Sequence, residues 1–526
     1  MRDHDFTSNE IAAMGSPLEL MDTEWAPCRF NCPVHADVRT YIELAARGHF
    51  QESADVVRKH LPFAAVCGRI CHHPCETNCR RQDVDESVAI REVKRFVIEE
   101  AGSNVRVDKP AAADKGNVGI VGAGPAGMSA ALELARWGYT AVVFEKFDVA
   151  GGIPRTAIPS YRVPDEVVAL DTDWIEAHGV QMITGVELGK DKPIAELRAQ
   201  FDAVLIATGL ATSRVLPIPG AQAPQVYGVL DFLTRVRFDK EIAIGKKVLV
   251  VGGGNVAMDA ARTALRLGAD VEVMMLENEE EMPAWSWEYD EAHEEGANFN
   301  FRRGPVEVCV DGDTITGMTT RGVTAVFDAD EKFNPSYDDA DVSTIECDTV
   351  IMAIGQMADM TFVNASGLEV DERGRLNYDA ATGMVGENVF ACGEIVTKPG
   401  SVVEACASGQ RAAAAIDMFI RGETIVLDDT TPPSIETIPD CTAEKVLNVD
   451  RNPIPMEDAK ARVGNFEPID HSFADTIAAE EARRCMTCGG GAEVLIDKCA
   501  ACLTCLRVCP FDIPKVTDVA RIDSAL

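Results

Sequence analysis

The sequence predicts an α/β chain with two nucleotide-binding βαβ units at its centre and a cysteine-rich segment on either side. Three observations predict it. Two copies of a glycine-rich strand–turn–helix pattern begin at Asn117 and Lys247. Of 17 cysteines, six lie in residues 28–79 and six in residues 485–509. Finally, 526 residues with 46% hydrophobic content suffice for several cores.

The first unit reads NVGIVGAGPAGMSAALELARWGYTAVVFEK. A β-type run, Val118–Val121, leads into Gly122-x-Gly124-x-x-Gly127, with Pro125 and Ala126 opening an apolar helix. A second strand, Ala141–Phe144, ends in Glu145. Gly122 permits the tight turn, Gly124 lets the backbone approach a pyrophosphate, and Gly127 lets helix and strand pack closely. The helix start offers free N–H groups and a positive dipole end to the phosphates, and Glu145 can accept both hydrogens of a ribose diol.

The second unit, KVLVVGGGNVAMDAARTALRLGADVEVMMLE, repeats the logic. Gly252-x-Gly254-x-x-Ala257 follows a β run, Asn255 and Val256 open the helix, and the strand Val271–Met275 ends near Glu277. Two such sites in one chain imply a flavin on one and a nicotinamide on the other.

Bulk properties exclude other classes. A formal net charge of −36 repels nucleic acid and anionic lipid, leaving solubility or docking to a basic partner as its uses. No apolar run reaches the roughly 18 residues of a membrane span, and MRDHDFTSNE is too polar for a signal peptide. A cytoplasmic protein is expected, and in that reducing compartment clustered cysteines signal metal more often than disulfides. Cys309, Cys347, Cys392, Cys406 and Cys441 stand apart and read as buried thiols.

Between and after the two units come FDAVLIATG, VIMAIGQ and NVFACGEIVTKPGSVVEACASGQRAAAAI. In this order the motifs resemble the two-dinucleotide-binding-domain flavoproteins, in which an FAD domain is interrupted by an NAD(P)H domain. The segment VAGGIPRTAIPSYRVP narrows the resemblance to the small subunit of glutamate synthase and the equivalent part of dihydropyrimidine dehydrogenase, over residues 25–420. The resemblance implies FAD binding by Gly122, Gly124, Pro125, Ala126, Gly127, Glu145, Lys146, Gly152 and Arg162. It makes Thr208 and Gly209 a crossover between domains, and puts Gly393 and Glu394 where the family has Gly-Asp against the flavin's ribityl–phosphate region. Gly252, Gly254, Asn255, Val256 and Ala257 would line the nicotinamide dinucleotide's phosphates. The implied domains are a helical iron–sulfur part (1–112), an FAD part (113–240), an NAD(H) part (241–355), a second FAD part (356–424), a linker (425–475) and a ferredoxin-like module (476–526).

Relatives that use NADPH follow the second unit's strand with two arginines that grip the 2′-phosphate. Here MMLENEEEMPA sets Leu276 and Glu277 in that place, with Glu279, Glu280 and Glu281 behind. A carboxylate accepts from a 2′-hydroxyl and repels a 2′-phosphate, so NADH is the expected substrate.

The N-terminal cysteines, Cys28 and Cys32 in PCRFNCP and Cys67, Cys71, Cys75 and Cys79 in CGRICHHPCETNC, step by three and four residues around a helical stretch. Such steps converge on an iron–sulfur cluster, with zinc as the alternative. The resemblance implies two 4Fe–4S clusters here, but the chain departs from the pattern. Leu20 and Thr23 stand where relatives have a further CxxC, Lys94 in EVKRF replaces a ligating Gln or Glu, and the Cys71–Cys75 gap is two residues shorter. One N-terminal cluster is expected, and a second only from a rearranged set.

Near the other end, Cys499-x2-Cys502-x2-Cys505-x3-Cys509-Pro is the bacterial ferredoxin run, with Cys485 and Cys488 just upstream. These six thiols admit one 4Fe–4S cluster with two spare cysteines, or two clusters if a ligand comes from elsewhere. No redox cysteine pair accompanies either nucleotide unit, so electrons are expected to leave the flavin for these clusters, at least two in total. The reading is a hydride exchange between NAD(H) and FAD, with electrons passed to or from a partner subunit or ferredoxin in a hetero-oligomer. The alternatives are the flavin subunit of an electron-bifurcating complex and a glutamate synthase small subunit proper.

Overall fold

The computed structural model describes residues 25–107, 112–427, 434 and 446–488. Its first part is helical: α1 (Val38–Ala46), α2 (Phe50–His60), α3 (Ala64–Ile70) and α4 (Ile90–Ala101). In α1 the apolar stripe Val38, Tyr41, Ile42 and Ala45 is buried, and the Asp37 side chain caps the start by accepting from the Thr40 amide. Short helical turns at Pro74–Thr77 and Arg80–Asp83 join α3 to α4.

The first nucleotide unit comprises β1 (Asn117–Val121), α5 (Pro125–Arg136), β2 (Thr140–Phe144), α6 (Asp165–Glu176), β3 (Gln181–Ile183) and β4 (Ala203–Ile206). β1 pairs in parallel with β2 and β4, Val118 facing Ala141 on one side and Ala203 on the other. Covered on both faces, these strands read as unbroken apolar runs. The second unit follows with β5 (Val226–Gly228), α7 (Val229–Arg237), β6 (Lys247–Val251), α8 (Asn255–Arg266), β7 (Asp270–Met274), α9 (Ser286–Glu294) and β8 (Asn298–Asn300). An antiparallel meander, β9 (Arg303–Asp311), β10 (Thr314–Phe327) and β11 (Phe333–Ile345), precedes β12 (Thr349–Met352), which re-enters the second sheet. That sheet runs β5-β12-β6-β7-β8, all parallel.

The chain then returns to the first sheet with β13 (Met384–Gly386) and β14 (Val389–Ala391), giving the order β13-β14-β4-β1-β2-β3. α10 (Val402–Ile420) crosses α5 at close range, where a Cβ on Gly409 would stand 2.0 Å from the Ala126 carbonyl oxygen. One nucleotide domain thus interrupts the other, as the motif order predicts. The boundary expected at 240/241 moves earlier, because β5 is part of the second sheet, with Val226 paired to Val350.

A larger difference concerns the segment expected as a linker. Residues 446–488 fold back over the molecule instead of leaving it, and α11 (Asp475–Ala482) packs on α1 and α4. Arg451 pairs with Glu76 at 2.7 Å, Arg462 with Glu294 at 3.0 Å, and Arg484 with Asp85 at 3.0 Å. The Ile469 amide donates to the Tyr161 carbonyl. These partners lie far away in sequence, so a local reading of a polar segment carries no trace of them. The block expected as one module from 476 is therefore divided: 476–488 dock on the helical part, and the Cys499, Cys502, Cys505 and Cys509 run lies outside the described residues.

Among the described residues no helix is long and apolar enough to cross a membrane.

Candidate functional site

The ends of β1, β2, β4 and β14 open onto a cleft of about 650 Å³. Two helices start there for local reasons. Gly124 precedes α5 and Pro125 is its first residue; Ser401 caps α10 in a reciprocal capping box with Glu404. Both helices turn unpaired N–H groups and positive dipole ends into the cleft.

Gly122, at φ +106°, makes the turn, and Gly124 leaves open space toward Gly152. Gly127 sits behind the wall, where a Cβ would stand 2.0 Å from the Gly122 carbonyl oxygen. Glu145 is buried, and its carboxylate accepts from the amides of Ala123 at 2.8 Å and Phe147 at 2.9 Å, which fixes it at the end of β2. Lys146, Thr208 and Gly209 line the same cleft, and the Thr208 hydroxyl is buried there without a protein partner. Gly393 and Glu394 close the far side; burial pushes the Glu394 carboxyl up, and its longer arm accepts from the Gly400 amide at 2.8 Å. Arg162 lines the cleft but is engaged across it, with Asp259 at 2.6 Å and with Glu288, tying the first unit to the second. A slot with helix N-termini, a fixed acid and an orphaned hydroxyl fits the pyrophosphate, ribose and polar chain of FAD.

Asn255 and Val256, the first residues of α8, reach the same cleft. Gly252 takes φ +135° at the turn, Gly254 precedes the helix, and Ala257 is buried behind it. The Glu277 carboxylate lies beside this turn, 3.4 Å from where a Cβ of Gly253 would be, and burial pushes its carboxyl up. The structure adds two features with no local signature in the sequence. Arg302 donates its amide to the Glu277 carbonyl while its guanidinium pairs with Glu281 at 2.9 Å. Trp285 stacks on His72, with centroids 5.5 Å apart, and on Trp287 at 5.2 Å, all three bordering the cleft.

All described cysteines are free thiols, and those predicted as ligands form two groups. Cys32, Cys67, Cys71 and Cys75 are buried around Lys94, which is itself 6% exposed. Burial lowers the Lys94 pKa, but the thiols of Cys71, Cys67, Cys75 and Cys32 outweigh it and hold the ammonium above its ordinary value. Among the described residues no carboxylate pairs with Lys94, so this buried cation fits an anionic centre on those sulfurs. Cys28, Cys79, Cys485 and Cys488 line a second, small cavity. Burial pushes the Cys28 thiol up, with Cys485, Cys79 and Cys488 adding to the shift. The sequence reading grouped Cys485 and Cys488 with the C-terminal run; the docking of α11 brings them here instead. Among the described residues no three ligating side chains stand tight enough for a single metal ion. Zinc needs sulfurs about 3.8 Å apart, whereas a cubane takes its thiolates at wider corners.

Fold and cleft together define an oxidoreductase with two dinucleotide sites joined to a cysteine-rich metal domain. Comparison with known proteins agrees. Residues 116–409 match the pyridine nucleotide-disulphide oxidoreductase model, and residues 20–105 match dihydropyrimidine dehydrogenase domain II, 4Fe–4S cluster. The chain belongs to this family: it is a flavin- and pyridine-nucleotide-binding oxidoreductase with an iron–sulfur domain. It is 36% identical to the NADP(+)-dependent formate dehydrogenase subunit beta of Moorella thermoacetica, over 88% of this chain and 70% of that one. It is 31% identical to the glutamate synthase [NADPH] small chain of Halomonas elongata, over 74% and 87%. The solved structure of FprA from Mycobacterium tuberculosis, a His57Gln mutant in that protein's own numbering, aligns with a TM-score of 0.51 at 17% identity, covering 58% of this chain and 85% of that one. That likeness concerns the fold alone.

Proposed function

We propose that this chain exchanges a hydride between NAD(H) and FAD and passes single electrons through 4Fe–4S clusters to or from a partner subunit or ferredoxin, with NADH preferred. One observation carries the reading. Ile70 and His72, on either side of Cys71, line the same cleft as Gly122, Gly124 and Thr208. The flavin slot and the thiol group around Lys94 therefore share a wall. FAD, when bound, supplies the chemistry of accepting a two-electron equivalent and releasing single electrons. The protein's part is positioning. The starts of α5 and α10 hold negative charge, Glu145 holds a ribose, and Asn255 and Val256 bring the second dinucleotide to the same cleft. No side chain is required as a general acid or base.

The NADH preference rests on Glu277 at the second glycine turn. Both named relatives carry NADP in their names. A second reading, NADPH use, has one observation in its favour: Arg302 lies against Glu277, although Glu281 already occupies its guanidinium. We expect kcat/KM for NADH to exceed that for NADPH by about tenfold or more, a gap of roughly 1.4 kcal/mol. Glu281→Ala, which frees Arg302, should narrow it. Equal values for the parent protein would overturn the preference.

The surface charge of −36 supports a basic docking face on the partner, and the reading places the complex in the cytoplasm as a hetero-oligomer.

A further inference from the structure

We propose that Cys28, Cys79, Cys485 and Cys488 form a second cluster site, separate from the one around Lys94, in which the C-terminal CxxC replaces the upstream pair that Leu20 and Thr23 lack. The inference rests on the reading above that this domain holds 4Fe–4S centres.

The first support is the division of the thiols. Each CxxxC pair is split: Cys32 and Cys75 face Lys94, while their mates Cys28 and Cys79 face the other cavity with Cys485 and Cys488. Two sites of four thiols result, so neither needs the Gln or Glu that Lys94 replaces. A lysine at that place then acts as a countercharge rather than a lost ligand.

The second support is how firmly the C-terminal pair is held. Glu481, at the end of α11, accepts from the Ala89 amide at 2.8 Å and from Arg484 at 2.6 Å. Arg484 also donates to Asp85 at 3.0 Å and to the Glu86 carbonyl at 2.6 Å. Arg81 returns the bond by donating to the Arg484 carbonyl at 3.0 Å. All of these fix the residue next to Cys485 against the loop that follows Cys79.

A third support is a repeated local device. The His73 amide donates to the Cys71 sulfur at 3.4 Å, and the Thr487 amide donates to the Cys485 sulfur at 3.4 Å. His73 and Thr487 both take left-handed backbone, φ 44° and φ 50°, which side chains other than glycine seldom adopt. Amides turned onto sulfur favour an electron-rich thiolate over a neutral thiol. Arg39, Arg80 and Arg81 border the second cavity, supplying positive charge around it.

The test is chemical iron and acid-labile sulfide per FAD in the full chain purified anaerobically. Cys485→Ser/Cys488→Ser should lose about four irons, and Cys28→Ser/Cys79→Ser the same four, so that the quadruple variant loses about four rather than eight. Additive losses, or full iron in the Cys485→Ser/Cys488→Ser chain, would overturn the assignment. Should these variants misfold, differential alkylation of the parent protein gives the same answer. Cys28, Cys79, Cys485 and Cys488 should be protected together and become reactive together as iron is chelated. Reactive Cys485 and Cys488 beside protected Cys28 and Cys79 would overturn it. A parent chain with no iron at all would instead refute the broader iron–sulfur reading.

Discussion

Asp171→Ala is expected to destabilise the protein by about 3–5 kcal/mol and to loosen the thiol-bearing helix from the flavin domain. Asp171, on α6, is fully buried and holds Arg58 of α2 at 2.5 Å. Its two oxygens also accept from the amides of Ala65 at 3.0 Å and Val66 at 2.9 Å. These amides belong to the first turn of α3, whose preceding residue, Phe63, offers no side-chain cap. One carboxylate from the flavin domain therefore caps the helix that carries Cys67 and ends at Cys71. Removing it strands a buried guanidinium and two helix N–H groups at once. Asp171→Asn keeps the shape and one acceptor, so it should fall between. Denaturant unfolding checks the size, and iron retention checks the location. A melting temperature within about 2 °C of the parent would contradict the argument.

The second large effect separates two glycines of one motif. Gly127→Ala forces a Cβ to within 2.0 Å of the Gly122 carbonyl oxygen, a backbone atom that cannot swing aside. That variant should lose both its fold and its cofactor. Gly124→Ala meets nothing nearer than the Gly152 Cα at 3.7 Å, so its apo fold should be intact. Its Cβ would occupy the approach to the pyrophosphate, and FAD affinity should fall at least about tenfold. Circular dichroism and bound-flavin absorbance distinguish the outcomes. Full flavin in Gly124→Ala would place the pyrophosphate elsewhere.

The parts of this molecule that were legible in the sequence are those whose chemistry is local. The β1–α5–β2 and β6–α8–β7 units announce themselves because turn, helix start and acid must follow one another within one stretch of chain. The cleft residues Gly122, Glu145, Thr208 and Gly393 came from the same kind of signal. What stayed hidden depends on pairs far apart. Arg484 with Asp85 and Arg451 with Glu76 steer 446–488 back onto the helical part, and nothing in that segment's composition encodes the partner. The same holds for Cys485 and Cys488: their CxxC spacing says that they bind metal, while the fold alone says with whom. Glu277 was legible as a carboxylate at a strand end, but Arg302 beside it was not.

The central claim is that NADH electrons enter at the cleft and reach the thiol groups beyond Cys71. It is tested most directly by anaerobic titration of the intact chain with NADH, following flavin absorbance and EPR on the same sample. The account predicts that NADH bleaches the FAD and that reduced 4Fe–4S signals grow as equivalents are added. Bleached flavin with no cluster signal at excess NADH would contradict it, because the wall shared by the cleft and Cys71 would then carry no electrons.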